Sequence, residues 1–355
     1  MGVRRNNPVG TALFSLLALA AAAALLISCL ALFLNPADYP AVLFFGLYHV
    51  PIVLLNLLFL LLALLRFRRA LFIPILALVP TMLLADRFVR FGHGETIPGG
   101  TSIKVLTYNV GRYANGGRKI TESEAVAGIR RFIGEQDADI VCLQEFAVKD
   151  TSELSSCLPD YPFRAHHLFK GNRNFGNITL SKYPILHTET LTFPQSRNQS
   201  LITDISADGR TIRVYNCHLE SYGIAFSAVV KRLFRRDHFT DEVAQVHEKL
   251  REATRRRSEQ VAALLRDQAD SPYPVFLCGD FNDTPISYTY EQLRKMKKDS
   301  FVAAGRGFSS TYAVLWPLLR IDYILLPQEG SAVRHEIARI PWSDHYPVTA
   351  TLCMP

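Results

Sequence analysis

Charged residues are almost absent from the first hundred positions of this 355-residue chain. No Asp, Glu, Lys or Arg occurs at positions 6–37, 39–65 or 70–85. A helix needs about 20 apolar residues to cross a bilayer. The first two stretches exceed that length, and the third, which contains Pro74 and Pro80, is marginal. The pattern argues against a water-soluble start to the chain and predicts an α-helical transmembrane region of about three helices over residues 1–95.

A cleaved signal peptide is the alternative interpretation of the first stretch. Arg4 and Arg5 precede it, and the sequence of residues 26–29, LISC, loosely resembles a lipoprotein cleavage box. However, the apolar run continues past Cys29 and a second long run follows. Signal peptides lack such a continuation, so we favour retained helices.

Positive residues flank these stretches unevenly. They lie at Arg4–Arg5, before the first stretch, and within Arg66–Arg69, between the second and third. The positive-inside rule places both clusters in the cytoplasm. If residues 70–85 also cross, the rest of the chain lies outside the cytoplasm; if they only lie on the surface, it lies inside. Arg87 and Arg90 weaken the outside orientation, but so apolar a run is costly to leave in water, and we predict three spans.

A strong basic excess is also missing from the remainder of the chain. The net charge is +7, but residues 1–100 hold seven Arg and three acidic residues, which leaves +3 for residues 101–355. Residues 231–257 alone carry nine basic and five acidic side chains. The high pI therefore reflects the membrane flanks and one segment, and it gives little support for a nucleic-acid-binding surface.

Cysteine pairs with metal or redox spacing are absent as well. The chain has six Cys, and none forms a CxxC or Cys/His metal motif. Four of them, Cys142, Cys217, Cys278 and Cys353, lie in apolar strand-like runs and are expected to be core residues. The sequence does not decide whether Cys157 forms a disulfide bond. These absences exclude a zinc site of the usual thiolate type.

Residues 100–355 have the pattern of an α/β domain of about 255 residues. Strands are predicted at 103–110 and 139–143, near Phe163, Ile178 and Thr190, and at 201–205, 211–217, 275–278, 321–326, 333–340 and 348–353. Helices are predicted at 122–136, 226–267 and 287–297. Asp208-Gly209 marks a hairpin. Many strands with few helices favour two sheets packed face to face with helices outside.

Several of these apolar strands have carboxylate, amide or imidazole side chains at their ends. The stretches are TYNVG, VCLQEF, YNCHLES, CGDFND, RIDYILL and WSDHYP. They supply Asn109, Gln144, Glu145, His218, Asp280, Asn282, Asp322, Ser343, Asp344 and His345. One such residue usually caps a turn, but six strand ends in one domain are harder to explain in that way. Burying several carboxylates is costly, and a divalent metal together with imidazoles offsets the cost.

The residue types favour a hard metal. Carboxylate and amide oxygens suit Mg²⁺ or Mn²⁺, whereas zinc prefers thiolates and imidazoles. Magnesium is typically held by one or two carboxylates, several waters and a substrate phosphate. The set therefore indicates phosphoryl chemistry.

In this order, TYNV, LQE, HLES, GDFND, RIDYIL and SDHYP resemble the motifs of the endonuclease/exonuclease/phosphatase superfamily. That family includes pancreatic-type DNases, abasic-site endonucleases, neutral sphingomyelinases and inositol polyphosphate 5-phosphatases. The resemblance covers about residues 103–353, and the amino-terminal stretches are similar only to those of membrane-anchored bacterial members. It implies a four-layer α/β sandwich, a catalytic domain over residues 100–355, and an integral protein of the bacterial inner membrane with this domain outside the cytoplasm.

The resemblance also implies roles for eight residues. Glu145 is the principal ligand of Mg²⁺ or Mn²⁺, Asn109 is a second ligand or orients the metal, and Asp344 assists. The other five act on the phosphate and the attacking water. Asp280 and Asn282 position the water and a phosphate oxygen, His345 contacts the scissile phosphate or acts as base, Asp322 holds the imidazole of His345, and His218 contacts the phosphate from the other side. The choice of base between Asp280 and His345 stays open.

The substrate is less well defined by the sequence. The 5-phosphatase branch has a Trp-Cys-Asp-Arg signature where this chain has RIDYIL, and the weak basic charge disfavours a nuclease. The domain begins close to the predicted membrane, and residues 225–239, AFSAVVKRLFRRDHF, mix apolar and basic side chains as membrane-surface helices do. An ordinary amphipathic lid is the alternative for that segment. We narrowly favour a lipid or lipid-linked phosphodiester in the bilayer as substrate, followed by a nucleic acid, and then by a non-catalytic binding module.

Overall fold

The computed structural model describes residues 8–92, 102–113, 120–151, 160–223 and 239–354. Its α-helices are α1 Pro8–Leu30, α2 Pro40–Leu47, α3 His49–Leu65, α4 Phe72–Met82, α5 Glu122–Gln136, α6 Phe239–Ala269, α7 Tyr288–Leu293 and α8 Ser300–Ala304. Its first strands are β1 Val89–Arg90, β2 Ser102–Asn109, β3 Ile140–Val148, β4 Phe163–Phe169, β5 Asn174–Ser181, β6 Ile185–Thr192 and β7 Gln199–Ala207. The others are β8 Arg210–His218, β9 Val275–Asp280, β10 Lys297–Asp299, β11 Gly307–Phe308, β12 Asp322–Pro327, β13 Ser331–Ile337 and β14 Val348–Cys353.

Two six-stranded mixed sheets form the body of the protein. The first sheet has the order β13-β14-β2-β3-β5-β4, and the second has the order β10-β12-β9-β8-β7-β6. The pairs β2–β3 and β8–β9 are parallel, and the other neighbours are antiparallel. Strands β2, β8 and β9 end at one edge of the sandwich, and their polar end residues are brought together there. The other predicted strand ends differ: β3 passes this edge at Glu145 and continues to Val148, Asp322 is the first residue of β12, and His345 precedes β14. Asp322 still reaches the edge because β12 is antiparallel to β9 and pairs Asp322 with Asp280.

Apolar side chains fill the three interfaces between the four layers. The inner faces of both sheets contribute residues such as Val105, Cys142, Val214, Phe276 and Ile324. The outer face of the first sheet packs on α5, and the outer face of the second sheet packs on α6 and α7. Alternate side chains of a strand point to opposite faces of its sheet, so each strand contributes residues both to the interface between the sheets and to the interface with the helices. The predicted four-layer α/β sandwich is confirmed.

Most predicted elements of the sandwich are confirmed, with differences at their ends. The helix predicted over 122–136 has those bounds, and a capping box at Thr121 and Glu124 explains its sharp start. Asp208 and Gly209 have positive φ and join β7 to β8 as predicted. The helix predicted over 287–297 ends at Leu293 and gives way to β10, because Lys297–Asp299 pairs with β12. Of the helix predicted over 226–267, residues 226–238 lie outside the described residues, as does Cys157, and the rest forms α6.

The amino-terminal helices form a small bundle on one side of the sandwich. Phe14, near the start of α1, stacks on Phe67, just after α3, with ring centres 4.3 Å apart. Ser28, near the end of α1, lies 2.7 Å from Nδ1 of His49, at the start of α3. The two helices are therefore antiparallel. Phe88, beyond α4, lies against His49, so α4 returns the chain to the end of the bundle at which α3 begins.

The helix lengths differ from what the apolar stretches predict. Helix α1 has 23 residues and is long and apolar enough to cross a membrane. Helices α2 and α3 reach that length only as a pair, which is bent by 63°. Helix α4 has 11 residues and is about 16 Å long at about 1.5 Å per residue, short of a hydrocarbon core of about 30 Å. Its ends are set by turns at Arg68–Ala70 and Ala85–Arg87.

Candidate active site

Three strands of the two sheets bring Asn109, Glu145 and Asp280 together. The Nδ2 group of Asn109 donates to Oδ2 of Asp280 at 2.9 Å and lies 3.4 Å from Oε1 of Glu145. Asp280 is 1 % exposed, so its carboxylate depends on these bonds. Burial raises the pKa of Asp280 to about 6, although the nearby His345 opposes the shift.

The loop after β9 folds back onto Asp280. The backbone N–H of Asn282 donates to Oδ1 of Asp280 at 2.8 Å, and its Nδ2 group donates to Oδ2 at 3.1 Å. Asn282 has φ of 52°, in the left-handed region that Asn tolerates better than most residues. The abrupt end of the buried strand at CGDFND is therefore a tight turn in which two N–H groups of Asn282 donate to the Asp280 carboxylate.

His345 and Asp322 form a buried pair beside Asp280. Nδ1 of His345 lies 3.0 Å from Oδ2 of Asp322, and its Nε2 lies 3.9 Å from Oδ2 of Asp280. Burial alone lowers the pKa of His345, but the carboxylates of Asp322 and Asp280 outweigh it and raise the pKa well above its usual value. The Asp322 carboxylate fixes the orientation of the imidazole and leaves Nε2 facing the site.

Glu145 lies at the mouth of the site, next to Arg112 and the imidazole of His218. Its Oε2 accepts from Nε of Arg112 at 3.0 Å, and its Oε1 lies 3.6 Å from Nε2 of His218. Burial alone raises the pKa of Glu145, but His218, Arg112 and His345 outweigh it and lower the pKa. The carboxylate is 21 % exposed. It is therefore an accessible anion at neutral pH.

Asp344 lies next to the turn that follows Asn109. Its Oδ1 lies beside Gly111, in the turn that follows Asn109, and 3.3 Å from Oγ of Ser343. The Ser343 hydroxyl donates to the Asn109 carbonyl at 2.8 Å, which ties the two segments together. A side chain at Gly111 would collide with the Asp344 carboxylate. Of the three predicted metal ligands, Asn109 and Glu145 are therefore in contact, and Asp344 lies beside the turn that follows Asn109.

The donor groups fit a hard divalent cation. Carboxylate oxygens of Glu145 and Asp344 and the amide of Asn109 are ligands of the type that Mg²⁺ prefers. In this structure Oδ1 of Asn109 accepts from the Gly111 N–H at 2.9 Å, and its second lone pair stays available for a metal ion. The buried Nε2 of His218 has no hydrogen-bond partner among the described residues, as expected if a water or phosphate oxygen lies between it and Glu145.

A second group also has the composition of a metal site. One ligand atom from each of Asp280, Asp322 and His345 lies within 4.8 Å of the others. In this group Nδ1 of His345 already bonds Asp322. An ion bound through Nδ1 of His345 would have to break that pair, whereas Nε2 of His345 faces Asp280 and is not part of it.

A buried network of amide side chains lies next to the site and includes Gln144, which the motifs indicate, and Asn177 and Asn216, which they do not. Nε2 of Gln144 donates to Oδ1 of Asn216 at 2.7 Å, and Nδ2 of Asn177 donates to the Asn216 carbonyl at 2.8 Å. These buried amides join β3, β5 and β8 across the two sheets. Gln144 is thus a bridge rather than a site residue. Asn within the apolar runs GNITL and VYNCH was the available signal, because a buried polar side chain needs partners.

Arg257 of α6 is a further residue that the motifs miss. It is fully buried, and its Nη1 donates to the carbonyls of Asn282 and Glu220. Its Nε lies 3.4 Å from the Asp283 carboxylate, and its guanidinium covers the Tyr222 ring at 4.4 Å. These contacts of the Arg257 side chain stabilise the turn that carries Asn282. One sequence does not distinguish it from the neighbouring Arg255 and Arg256, which are not buried.

The profile of the endonuclease/exonuclease/phosphatase family matches residues 106–345, the region that contains all of the candidate site residues. The chain belongs to this family. A second profile, of a domain of unknown function, matches residues 11–88. No curated protein matches the chain significantly.

Solved structures share the fold of this family member at low sequence identity. A Beutenbergia cavernae family protein is 18 % identical with a TM-score of 0.53, and the match covers 71 % of this chain and 72 % of that one. A Bacteroides vulgatus family protein is 21 % identical with a TM-score of 0.53, over 72 % of this chain and all of that one. D. rerio TDP2, complexed with single-strand DNA product, is 17 % identical with a TM-score of 0.52, over 71 % and 99 %. These similarities show the fold.

Proposed function

We propose that this protein is a membrane-anchored phosphodiesterase that requires Mg²⁺ or Mn²⁺ and hydrolyses a lipid or lipid-linked phosphodiester. The observation that carries the proposal is the convergence of the buried His345–Asp322 pair, Asp280 and the accessible Glu145 at one sheet edge. Family membership supports hydrolysis, because members are hydrolases that generally depend on a divalent metal. The lipid preference rests on the apolar helices beside this edge.

The geometry supports a division of labour among the residues. Glu145, Asn109 and Asp344 would hold a divalent cation, which would neutralise charge that develops on the phosphate. Asp280, held by Asn109 and Asn282, orients the attacking water or takes its proton. His345, held by Asp322, faces the same point through Nε2 and either contacts the phosphate or takes the proton. His218, with its free Nε2, binds a phosphate oxygen from the opposite side.

The helical bundle contacts the catalytic turn directly, which supports a membrane-bound substrate. Arg87, which follows α4, donates to the Pro285 carbonyl at 3.0 Å and pairs with Glu291 at 3.0 Å. Gly46 of α2 lies so close to the Ile286 carbonyl that a side chain at Gly46 would collide with it. Pro285 and Ile286 follow Asn282 by three and four residues. The apolar helices therefore contact the segment of chain that directly follows the site residue Asn282.

A nuclease is the second candidate, and one feature of the mouth favours it. The guanidinium groups of Arg112 and Arg197 lie 5.1 Å and 5.9 Å from the centre of the Phe175 ring. An aromatic ring framed by arginines suits a nucleic acid, since bases stack on rings and phosphates pair with Arg. The similarity in fold to TDP2, solved with a DNA product, agrees with it.

We expect the purified full-length protein to hydrolyse bis-p-nitrophenyl phosphate with Mg²⁺ or Mn²⁺ and to stop when EDTA is added. The physical reason is that carboxylate ligands without thiolates hold such ions reversibly. Rates on phospholipid vesicles and on plasmid DNA, measured side by side, then separate the two substrates. Activity that survives exhaustive chelation would exclude the metal-dependent reaction, and a folded protein without any turnover would support a non-catalytic binding module.

We further expect the carboxyl terminus to lie outside the cytoplasm. The Arg66–Arg69 turn lies at the end of the bundle opposite to the catalytic domain, and the positive-inside rule puts such a turn in the cytoplasm. A carboxyl-terminal alkaline phosphatase fusion should then be active and a green fluorescent protein fusion dark. The reverse pattern would mean that the short helix α4 does not carry the chain across.

A further inference from the structure

The segment Ala313–Leu319, AVLWPLL, has no polar side chain and yet is partly exposed. Val314, Trp316 and Leu318 are 36 %, 40 % and 38 % exposed. We call this segment the AVLWPLL loop. Phe308, which is 48 % exposed, lies beside it, with its ring centre 6.0 Å from that of Trp316. Contiguous exposed apolar surface of this kind marks contact with a protein or a membrane.

The AVLWPLL loop lies next to the helical bundle. Leu315, Leu318 and Leu319 line an apolar cavity of about 220 Å³ together with Phe88 and residues 46–51, where α2 meets α3. That junction is at the end of the bundle that faces the catalytic domain. If the bundle is in a membrane, this end is at the boundary between lipid and water, where Trp and Tyr side chains are enriched.

Arginine side chains frame the loop. The guanidinium of Arg339 covers the Trp316 ring at 4.4 Å from its centre. Arg306 and Arg334, both exposed, line the same groove as Phe308 and Arg339. Glu336 lines it too and pairs with Arg334, so the rim keeps a net positive charge from Arg306 and Arg339. An apolar tip with a cationic rim is complementary to a bilayer with anionic head groups, because the tip enters the acyl boundary while the rim stays among the phosphates.

The base of the loop is joined to the catalytic residues. The N–H groups of Thr311 and Tyr312 donate to the Leu319 carbonyl at 3.0 Å and 3.1 Å and close the loop. The Ala313 N–H donates to the Asp344 carbonyl at 2.8 Å, and Tyr312 forms a bridge with His345. A contact that fixes the loop therefore also fixes the position of the active site.

We propose that the AVLWPLL loop is a second membrane contact, which inserts into the interface of an anionic bilayer and holds the active site at the level of the lipid head groups. The inference rests on the proposed membrane anchoring. It adds that the catalytic domain itself touches lipid, so that a phosphodiester in the head-group layer reaches His345 and Asp280 without leaving the membrane.

The two tryptophans of the chain make the contact measurable. In full-length Trp342→Phe protein, the remaining emission comes from Trp316. We expect that emission to be blue-shifted in phosphatidylcholine–phosphatidylglycerol vesicles. Shallow brominated acyl chains should quench it at least about twofold, because an interfacial side chain is buried only about 5–10 Å deep. Trp342 packs on Gly128 of α5, and the matched Trp316→Phe protein should therefore be quenched little.

The outcomes separate the inference from the proposed function. Protein that fails to float with the vesicles contradicts membrane anchoring itself. Protein that floats with Trp316 unquenched overturns the loop contact alone, and a blue-shifted but unquenched Trp316 means that protein, such as a second copy, covers the loop. If Trp342→Phe does not fold, the emission of Trp316 is obtained by subtracting the spectrum of Trp316→Phe protein from that of the wild type.

The arginine rim is tested separately with Arg306→Gln/Arg339→Gln protein. In the wild type, we expect Trp316 to be quenched more strongly in anionic vesicles than in zwitterionic vesicles. This difference should disappear in the double variant, and its persistence would contradict the role of the rim.

Discussion

Replacing His345 by Ala, or Asp280 by Asn, is expected to lower kcat by about 10²-fold or more, which is the usual cost of removing a proton-transfer group. Both side chains are buried, and both face the same point between the sheets. The effect should fall on kcat more than on KM, because these groups are proposed to act on the transition state. Steady-state rates on bis-p-nitrophenyl phosphate, together with a thermal melt of each variant, measure it.

His335 offers a matched control for this experiment. It is also a buried histidine, 6 % exposed, with Nδ1 2.9 Å from Oγ of Ser300, but it lies on β13 outside the candidate site. His335→Ala should lose stability and keep its turnover. If His345→Ala protein melts early and yet turns over normally in the folded fraction, His345 contributes only to stability, as His335 is expected to do. The assignment of the active site is then wrong.

Strand ends explain why the polar groups of the site could be predicted from the sequence. An apolar run that stops at Asn109 or Asp280 indicates both the strand and the side chain at its end, and parallel neighbours bring such ends to one edge. Glu145 reaches the same edge from within β3, at an irregularity in its pairing with β5. The groups that come from outside the strands could not be found in this way. Arg112 reaches Glu145 because three successive residues after Val110 have positive φ, which one sequence does not indicate. Arg257 arrives from a helix.

Hydropathy was less informative about the helical bundle than about the sandwich. It identifies apolar residues correctly, but it does not fix where a helix bends or stops. The stretch 39–65 becomes two helices with a bend at Tyr48, and the stretch 70–85 becomes only 11 helical residues. The docking of Arg87 on the Pro285 carbonyl depends on tertiary contact and has no sequence signal.

Glu145→Gln is expected to weaken binding of Mn²⁺ at least about tenfold, a loss that even outer partners of a metal site can cause. The substitution keeps the shape of the side chain and removes the negative charge that Arg112 and His218 now surround. Calorimetric titration of the detergent-solubilised protein with Mn²⁺ measures the affinity. Activity should fall at low metal concentration and recover in part when more Mn²⁺ is added.

Glu291→Gln is the matched control for Glu145→Gln. Glu291 is 18 % exposed and paired with arginine, much as Glu145 is 21 % exposed and paired with Arg112, but it lies on α7. Its substitution should leave Mn²⁺ affinity unchanged. Asp280→Asn protein completes the comparison, because Asp280 belongs to the second group of possible ligands. If Glu145→Gln binds Mn²⁺ normally and Asp280→Asn does not, the ion lies among Asp280, Asp322 and His345, and the proposed separation of metal binding from proton transfer is wrong.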